Sequence, residues 1–306
     1  HLQRILETEK IDVLHSIYAC PHSIWAYHTK FKNHIVTTYG SDMLVDYKNK
    51  PSFFKEPTKS IISSLLRLEI RKALNAAKFI TSTSINQQNV IREFIKDEDK
   101  LSIIRTGVNC QEFLEIYNSA EKQYKETTIF SCRAMQPLYN IDVIIDGFVL
   151  LKQKMNNLPL KLVLINYCTG EDYYNSILQK IKTNNITEHV TILPNLSFQE
   201  LVQEYKNSDI VIMVPKSDGS PVTGMETLLA QKPLIMGNVC YDKDLYSEKT
   251  VWKLDTVTPE SVCDKILEIL QLPKDVIEEK TTNGFNAVMQ YGNLDVEIAK
   301  LETLYK

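Results

Sequence analysis

The sequence predicts an α/β chain of two Rossmann-like units, each a parallel sheet wrapped in helices, facing one another across a cleft. Three observations carry that expectation. Short apolar runs alternate with segments of helical period from end to end, the pattern of consecutive βαβ units. With 306 residues, 43% of them hydrophobic, the chain is long enough for two cores of ordinary size. A polar, charged stretch over residues 115–126 lacks strand-like alternation and parts the chain into two series, so it reads as the linker.

The first series opens with a helix over residues 2–8 and a strand over 12–17. A helix over 21–31 and a strand over 34–38, ending at Gly40, follow. The next helix, 58–76, carries Ile61, Ile62, Leu65, Leu66, Leu68 and Ile70 on a broad apolar face. A strand at 79–82, a helix at 85–95 and a strand at 101–104 complete the series. In the second series, strands are expected at 128–132, 160–166, 190–193, 209–214 and 233–236. Helices fall at 141–155, 172–182 and 221–230, and the capping-box pattern Ser197-Phe198-Gln199-Glu200 opens another. A helical tail closes the chain at 294–305. The expected domains are residues 1–118, residues 119–285 and a final helix within 286–306.

Composition excludes several classes. A formal net charge of −3 supplies no global basic field for nucleic acid. No apolar run is long enough to span a bilayer and no signal peptide is visible, which leaves peripheral contact with the inner membrane face open. Cys20, Cys110, Cys132, Cys168, Cys240 and Cys263 form no CxxC pair, so free thiols in a reducing, cytoplasmic setting are expected. His22, His28 and His34 share no helical face, and no metal-ligand spacing appears. His15 reads as a local hydrogen-bonding residue and Trp25 as core.

Chemistry concentrates between residues 208 and 236, a strand, a loop, a helix and a strand. The loop Pro215-Lys216-Ser217-Asp218-Gly219-Ser220 sits at the carboxyl end of a buried strand, where ligands of open α/β sheets bind. Ser220 suits a helix N-cap and Pro221 the first helical position, so the helix start offers free N–H groups and a positive dipole end to a phosphate. Asp218 stands before that pocket and Glu226 eight positions on, placed to take hydroxyls on either side of a diphosphate. Two acids at this spacing also occur by chance very often.

The run from Ser217 to Ile235, with Asp218, Gly219, Glu226 and Lys232-Pro233-Leu234-Ile235, resembles the E-x7-E region of family 4 glycosyltransferases, with Asp218 in place of the first Glu. Three further stretches fall in the family's order. Val36-Thr37-Thr38-Tyr39-Gly40-Ser41-Asp42 is similar to its VTxHGSD segment, and Leu101 to Asn109 to its ISVIPNGVD segment. Ile129-Phe130-Ser131-Cys132-Arg133 is similar to its ILFVGR strand. The resemblance covers nearly the whole chain and implies the GT-B fold, with the last helix crossing back to the first domain. It also implies a first strand and glycine-rich loop ahead of His1, which opens the chain without an initiator methionine.

By the same resemblance, Asp218 approaches the transferred sugar and Glu226 binds the nucleotide ribose. Gly219, Ser220 and Val222 present backbone N–H groups to the sugar or the diphosphate. Arg133 holds the diphosphate, which suits a permanently charged, two-pronged guanidinium, although a surface ion pair is the plainer alternative. Gly40, Ser41 and Asp42 line the cleft, where Asp42 either orients the loop or caps the next segment. Two departures stand out. Tyr39 replaces a histidine near the reacting sugar, and the lysine that usually follows the arginine is absent, leaving Tyr139 or Asn140 to bond a phosphate. The implied reaction is metal-independent sugar transfer with retention, from a nucleotide-diphosphate donor to a glycan or lipid-linked acceptor in polysaccharide biosynthesis. UDP is the expected carrier from its frequency in the family, and no cofactor is expected. A GT-B sugar-nucleotide epimerase would need further carboxylates and a histidine converging on the sugar. A non-catalytic sugar-nucleotide-binding or partner protein would fit the missing lysine and Tyr39.

Overall fold

The computed structural model describes residues 1–39, 43, 57–167 and 170–306. Gly40, Ser41, Asp42 and Cys168, named above, lie outside the described residues. The first unit runs α1 (Leu2–Thr8), β1 (Leu14–Ile17), α2 (His22–His28), β2 (His34–Thr38), α3 (Pro57–Ala76), β3 (Phe79–Ser82), α4 (Ile85–Arg92) and β4 (Leu101–Ile103). There follow α5 (Cys110–Ser119), β5 (Thr127–Ser131), α6 (Ile141–Lys154), β6 (Leu160–Ile165), α7 (Glu171–Thr183), β7 (Val190–Leu193), α8 (Phe198–Asn207) and β8 (Ile210–Met213). The chain ends with α9 (Val222–Leu229), β9 (Leu234–Met236), β10 (Trp252–Lys253), α10 (Pro259–Gln271), α11 (Lys274–Tyr291) and α12 (Leu294–Tyr305).

Two parallel sheets result, one in the order β1-β2-β3-β4 and one in the order β10-β9-β8-β5-β6-β7. The second reverses direction between β5 and β8, so the carboxyl ends of these strands form a switch-point crevice. Its strands are apolar on both faces, and alternate residues serve two cores. Ile129, Leu162, Ile210, Ile212 and Ile235 join one cluster with α6, α7 and α10. Phe130, Val163, Val211, Met213, Leu234 and Met236 join the other with α5, α8, α9 and α11. In the first unit Val36 and Ile80 pack with Ile70, Leu74 and Ile91 of the surrounding helices. The Ser197–Glu200 capping box forms as expected, with both reciprocal bonds present.

Four expectations change. The presumed linker begins inside α5, which is amphipathic and buries Cys110 and Phe113. Phe113 packs on Phe198 and Tyr205, so α5 goes with the second sheet and the expected boundary at 118–119 falls at the end of a helix already docked there. Two helices, α10 and α11, fill a stretch left unassigned; Pro259 at the start and a Thr258–Ser261 capping box open the first of them. Trp25 is 58% exposed rather than core. Pro221, not Ser220, is the N-cap of α9, and no side chain caps it.

The final helix returns to the first unit. Gly107, at φ +71°, allows close approach of the two backbones, and a Cβ there would meet the Leu294 Cα at 2.7 Å. Val108 donates to the Gly292 carbonyl and accepts from the Leu294 N–H at 2.8 and 3.0 Å. From there α12 lays Glu297 against the Arg105 N–H, at 2.8 Å, and Tyr305 against His15, at 2.7 Å.

Candidate active site

The site gathers at the carboxyl ends of β5 and β8. Arg133 follows β5 by two residues, and its guanidinium lies across the start of α9. One Nη donates to Asp218 Oδ2 and the other to Thr223 Oγ1, both at 2.9 Å. Tyr139 lies under it, its ring centre 4.4 Å from Cζ. Arg133 and Asp218 are only 15% and 16% exposed, so their attraction acts in a medium poorer than water. Burial pushes the Asp218 carboxyl above its ordinary value, while Arg133 and the Gly219 N–H, 2.8 Å from Oδ1, oppose the rise.

Glu226 is one turn into α9 and 5% exposed. Burial raises its pKa, against the Tyr205 hydroxyl, which donates to Oε2 at 2.9 Å, and the Arg133 charge. Tyr205 is itself fixed by Phe113 and Phe130, so packing on α5 and β5 sets the carboxylate's position. The loop before α9 is braced from behind. Tyr246 donates to the Pro221 carbonyl at 2.7 Å, and the Asp242 N–H to the Gly219 carbonyl at 2.9 Å. Gly224 lets Tyr246 in, since a Cβ there would stand 2.9 Å from its ring.

Three buried polar atoms around this point have no hydrogen-bond partner: Arg133 Nε, Ser220 Oγ and the Tyr241 hydroxyl. Leaving such groups unmet costs on the order of 1–3 kcal/mol each. Tyr241 is 3% exposed. Burial drives its phenol strongly upward, Asp218 adds to that and Arg133 opposes it, so it stands within the field of both charges. Its loop is gripped from the first unit, because Asn86 Nδ2 donates to the carbonyls of Cys240 and Tyr241 at 2.8 and 3.0 Å. Between the units a cleft of about 460 Å³ is lined by Asn86, Asn89, Lys216, Asp218, Asn238 and Cys240.

Arg133, Asp218, Gly219, Ser220, Val222 and Glu226 thus converge on the α9 start, whose first N–H groups lack intrahelical acceptors by position. Two expected residues do otherwise. Asn140 adopts the left-handed conformation and donates its amide to the Val214 carbonyl at 2.8 Å, so it ties β8 to the start of α6. Tyr39 meets Tyr18 with its ring tilted at 42° and lines a separate cavity of about 260 Å³ with His15, Thr37 and Tyr305. Tyr205, Tyr241, Tyr246 and Asn86 were not singled out by sequence reasoning, since isolated tyrosines and asparagines carry no local signal. Among the described residues no cluster of three or more His, Cys, Asp or Glu is placed to hold a metal ion.

Two parallel-sheet units joined by a returning C-terminal helix, with a polar crevice between them, constitute the GT-B architecture. A UDP complex of Anabaena HepE superposes with a TM-score of 0.79 over 99% of this chain and 81% of that one, at 11% identity. A glycosyltransferase from Rickettsia africae does so with a TM-score of 0.74 over 100% and 79%, at 20% identity. Residues 113–283 match the family model described as glycosyl transferases group 1. That match takes in more than half of the chain, and the chain belongs to this family. An uncharacterized glycosyltransferase of Methanocaldococcus jannaschii is 25% identical over 282 residues, 88% of this chain and 68% of that protein. The O-antigen chain mannosyltransferase RfbU of Salmonella typhimurium is 20% identical over 208 residues, 68% of this chain and 55% of its own length.

Proposed function

We propose that this chain is a retaining glycosyltransferase of the E-x7-E type. It moves a sugar from a nucleotide-diphosphate donor, with UDP as the carrier, to a glycan or lipid-linked acceptor in polysaccharide biosynthesis. The observation that carries this reading is the buried Arg133–Asp218 pair laid across the start of α9, with Glu226 one turn deeper. Anabaena HepE in complex with UDP and with UDP-glucose shares the fold, which supports the nucleotide class.

In this reading the donor diphosphate takes the α9 start, where N–H groups and the dipole end meet it, and competes with Asp218 for the Arg133 guanidinium. Freed of that pairing, Asp218 turns to hydroxyls of the transferred sugar. Glu226 accepts from the ribose. As the sugar–phosphate bond breaks, negative charge grows on the leaving diphosphate, and Arg133 and the helix start stabilise it without reorganising. The acceptor hydroxyl enters on the leaving-group face, and the departing phosphate oxygen takes its proton.

Calorimetric titration of UDP and of GDP tests the site. Arg133→Ala and Glu226→Ala are each expected to weaken the preferred nucleotide by about tenfold or more. Because burial holds Glu226 above its ordinary pKa, its ionised, hydroxyl-accepting form is lost earlier than usual on acidification. Affinity should therefore fall as pH drops toward that raised value, while Glu226→Gln flattens the profile. Equal affinity in parent and both alanine variants would place the nucleotide elsewhere.

A further inference from the structure

The cleft between the units carries one charge that the proposed chemistry leaves unused. Of its lining residues, Asp218 is paired with Arg133, and that pair is neutral as a unit. Lys216, two positions earlier on the same loop, is exposed and forms no ion pair among the described residues. Its backbone is nevertheless fixed. The Lys216 N–H donates to the Leu138 carbonyl at 2.8 Å, and the Asn140 amide holds the Val214 carbonyl two residues before it. The ammonium therefore moves on its own stem from a fixed point in the cleft wall, not with a loose loop.

The other polar groups of the cleft are amides, and their existing bonds set what each still offers. Asn86 Nδ2 is taken up by the carbonyls of Cys240 and Tyr241, which leaves Oδ1 as an acceptor. Asn238 Nδ2 donates to the Asp255 carbonyl at 3.3 Å, which leaves its Oδ1 likewise. Asn89 is the reverse case: its Oδ1 accepts from Arg92 Nη1 at 2.7 Å, and its Nδ2 remains a donor. Neutral donors and acceptors of this kind suit ring hydroxyls, each of which gives one hydrogen bond and takes others. Hydroxyls need no ammonium. The ammonium on the same wall suits an anion, since a hydrogen bond between ionised groups is about twice as strong as a neutral one.

The cleft and the phosphate crevice meet at Asp218, which lines the one and pairs with Arg133 in the other. A sugar that hangs from a diphosphate at the α9 start and reaches Asp218 therefore enters this cleft, where Lys216 is two residues away along the loop. The cleft volume of about 460 Å³ lies within the range of about 300–1,000 Å³ typical of small-molecule sites.

We infer that this cleft takes an acidic sugar, its carboxylate or phosphate on Lys216 and its hydroxyls on Asn86, Asn89 and Asn238. Such selection rests on the glycosyltransferase reading and narrows its substrate class from any hexose to a charged one. The acid belongs either to the transferred sugar or to the acceptor sugar beside it, and the two arms of the test separate these sources.

Calorimetry first establishes whether the chain binds UDP or GDP. In the first arm it is titrated with UDP-glucuronate against UDP-glucose, or with GDP-mannuronate against GDP-mannose where GDP is the preferred carrier. In the second arm the nucleotide-saturated chain is titrated with glucuronate and glucose 6-phosphate against glucose. A preference of about fivefold or more for the acidic member is expected in one arm, the first placing the acid on the transferred sugar and the second on the acceptor. Lys216→Gln should abolish that preference and Lys216→Arg should keep most of it, while both retain the parent's affinity for the free nucleotide. Lys216 is exposed, so neither substitution should move the melting temperature. Equal affinity for acidic and neutral members in both arms overturns the inference. So does a Lys216→Gln variant that keeps the preference. A tenfold loss of affinity for free UDP or GDP in that variant overturns it too, because the ammonium would then serve the diphosphate. A parent that binds neither nucleotide removes the proposed function and the acidic sugar with it, whereas nucleotide binding without the preference removes the acidic sugar alone.

Discussion

At the scale of residues, the site is a set of charges and hydroxyls gathered at the start of α9. The guanidinium of Arg133 is satisfied on two nitrogens and unpartnered on the third, and the Tyr241 hydroxyl nearby has no acceptor. Tyr241→Phe separates two accounts of that hydroxyl. Removing an unmet buried hydroxyl should leave the empty protein as stable or more stable by up to about 1 kcal/mol. If the hydroxyl meets the donor, the same change weakens UDP or GDP by about tenfold. Raised stability with unchanged nucleotide affinity would show that the phenol only fills space. Asp218 and Glu226 were legible in the sequence because loop and helix spacing are local properties. Tyr241 was not, because its relevance comes from a chain reversal that brings the loop after β9 over the α9 start.

At the scale of elements, the second sheet depends on close helix contacts that a single methyl disturbs. Gly147 on α6 faces α10, and a Cβ there would stand 2.5 Å from Val262 Cγ1 and 3.0 Å from the Pro259 carbonyl. Gly147→Ala gains helix propensity but must push α10 away. The overpacking should dominate, with a net loss of about 1–3 kcal/mol read from urea unfolding. A gain in stability would mean that α10 moves without resistance. Helix α5 teaches a related lesson. Residues 115–119 look like linker because they are polar on the exposed side, yet Phe113 buried against Phe198 and Tyr205 keeps the helix docked. The period was present but short, and the neighbouring charges masked it. Trp25 erred in the other direction: burial was expected from its type, and its position on the outer side of α2 exposes it.

At the scale of the molecule, polar groups from the first unit hold the loop on which the site rests. Arg105, following β4, is 4% exposed and reaches Asp242, fully buried, and Asp244, each at 2.6 Å. Asp242 in turn supports Gly219 through its backbone N–H. Arg105→Met strands a buried carboxylate and should cost about 3–5 kcal/mol, whereas pairing it with Asp242→Asn should recover most of that loss. Calorimetric melting of the single and double variants decides the matter, and equal destabilisation of both would show that the pair is not coupled. The same linkage carries Asn86 to the carbonyls of Cys240 and Tyr241, so the placement of the first unit bears on the geometry of the crevice.

The alternation of apolar strands and amphipathic helices, the break into two series and the acids flanking one helix start were all determined by sequence alone. Each is a pattern of near neighbours, set by the periods of 2 and 3.6 and by the chemistry of caps and loops. Tertiary structure decided which side α5 joins, that Asn140 ties the end of β8 to the start of α6, and that Tyr205, Tyr241 and Asn86 brace the site. These outcomes depend on contacts between residues far apart in the chain, and burial or an orphaned hydroxyl exists only once those contacts have formed.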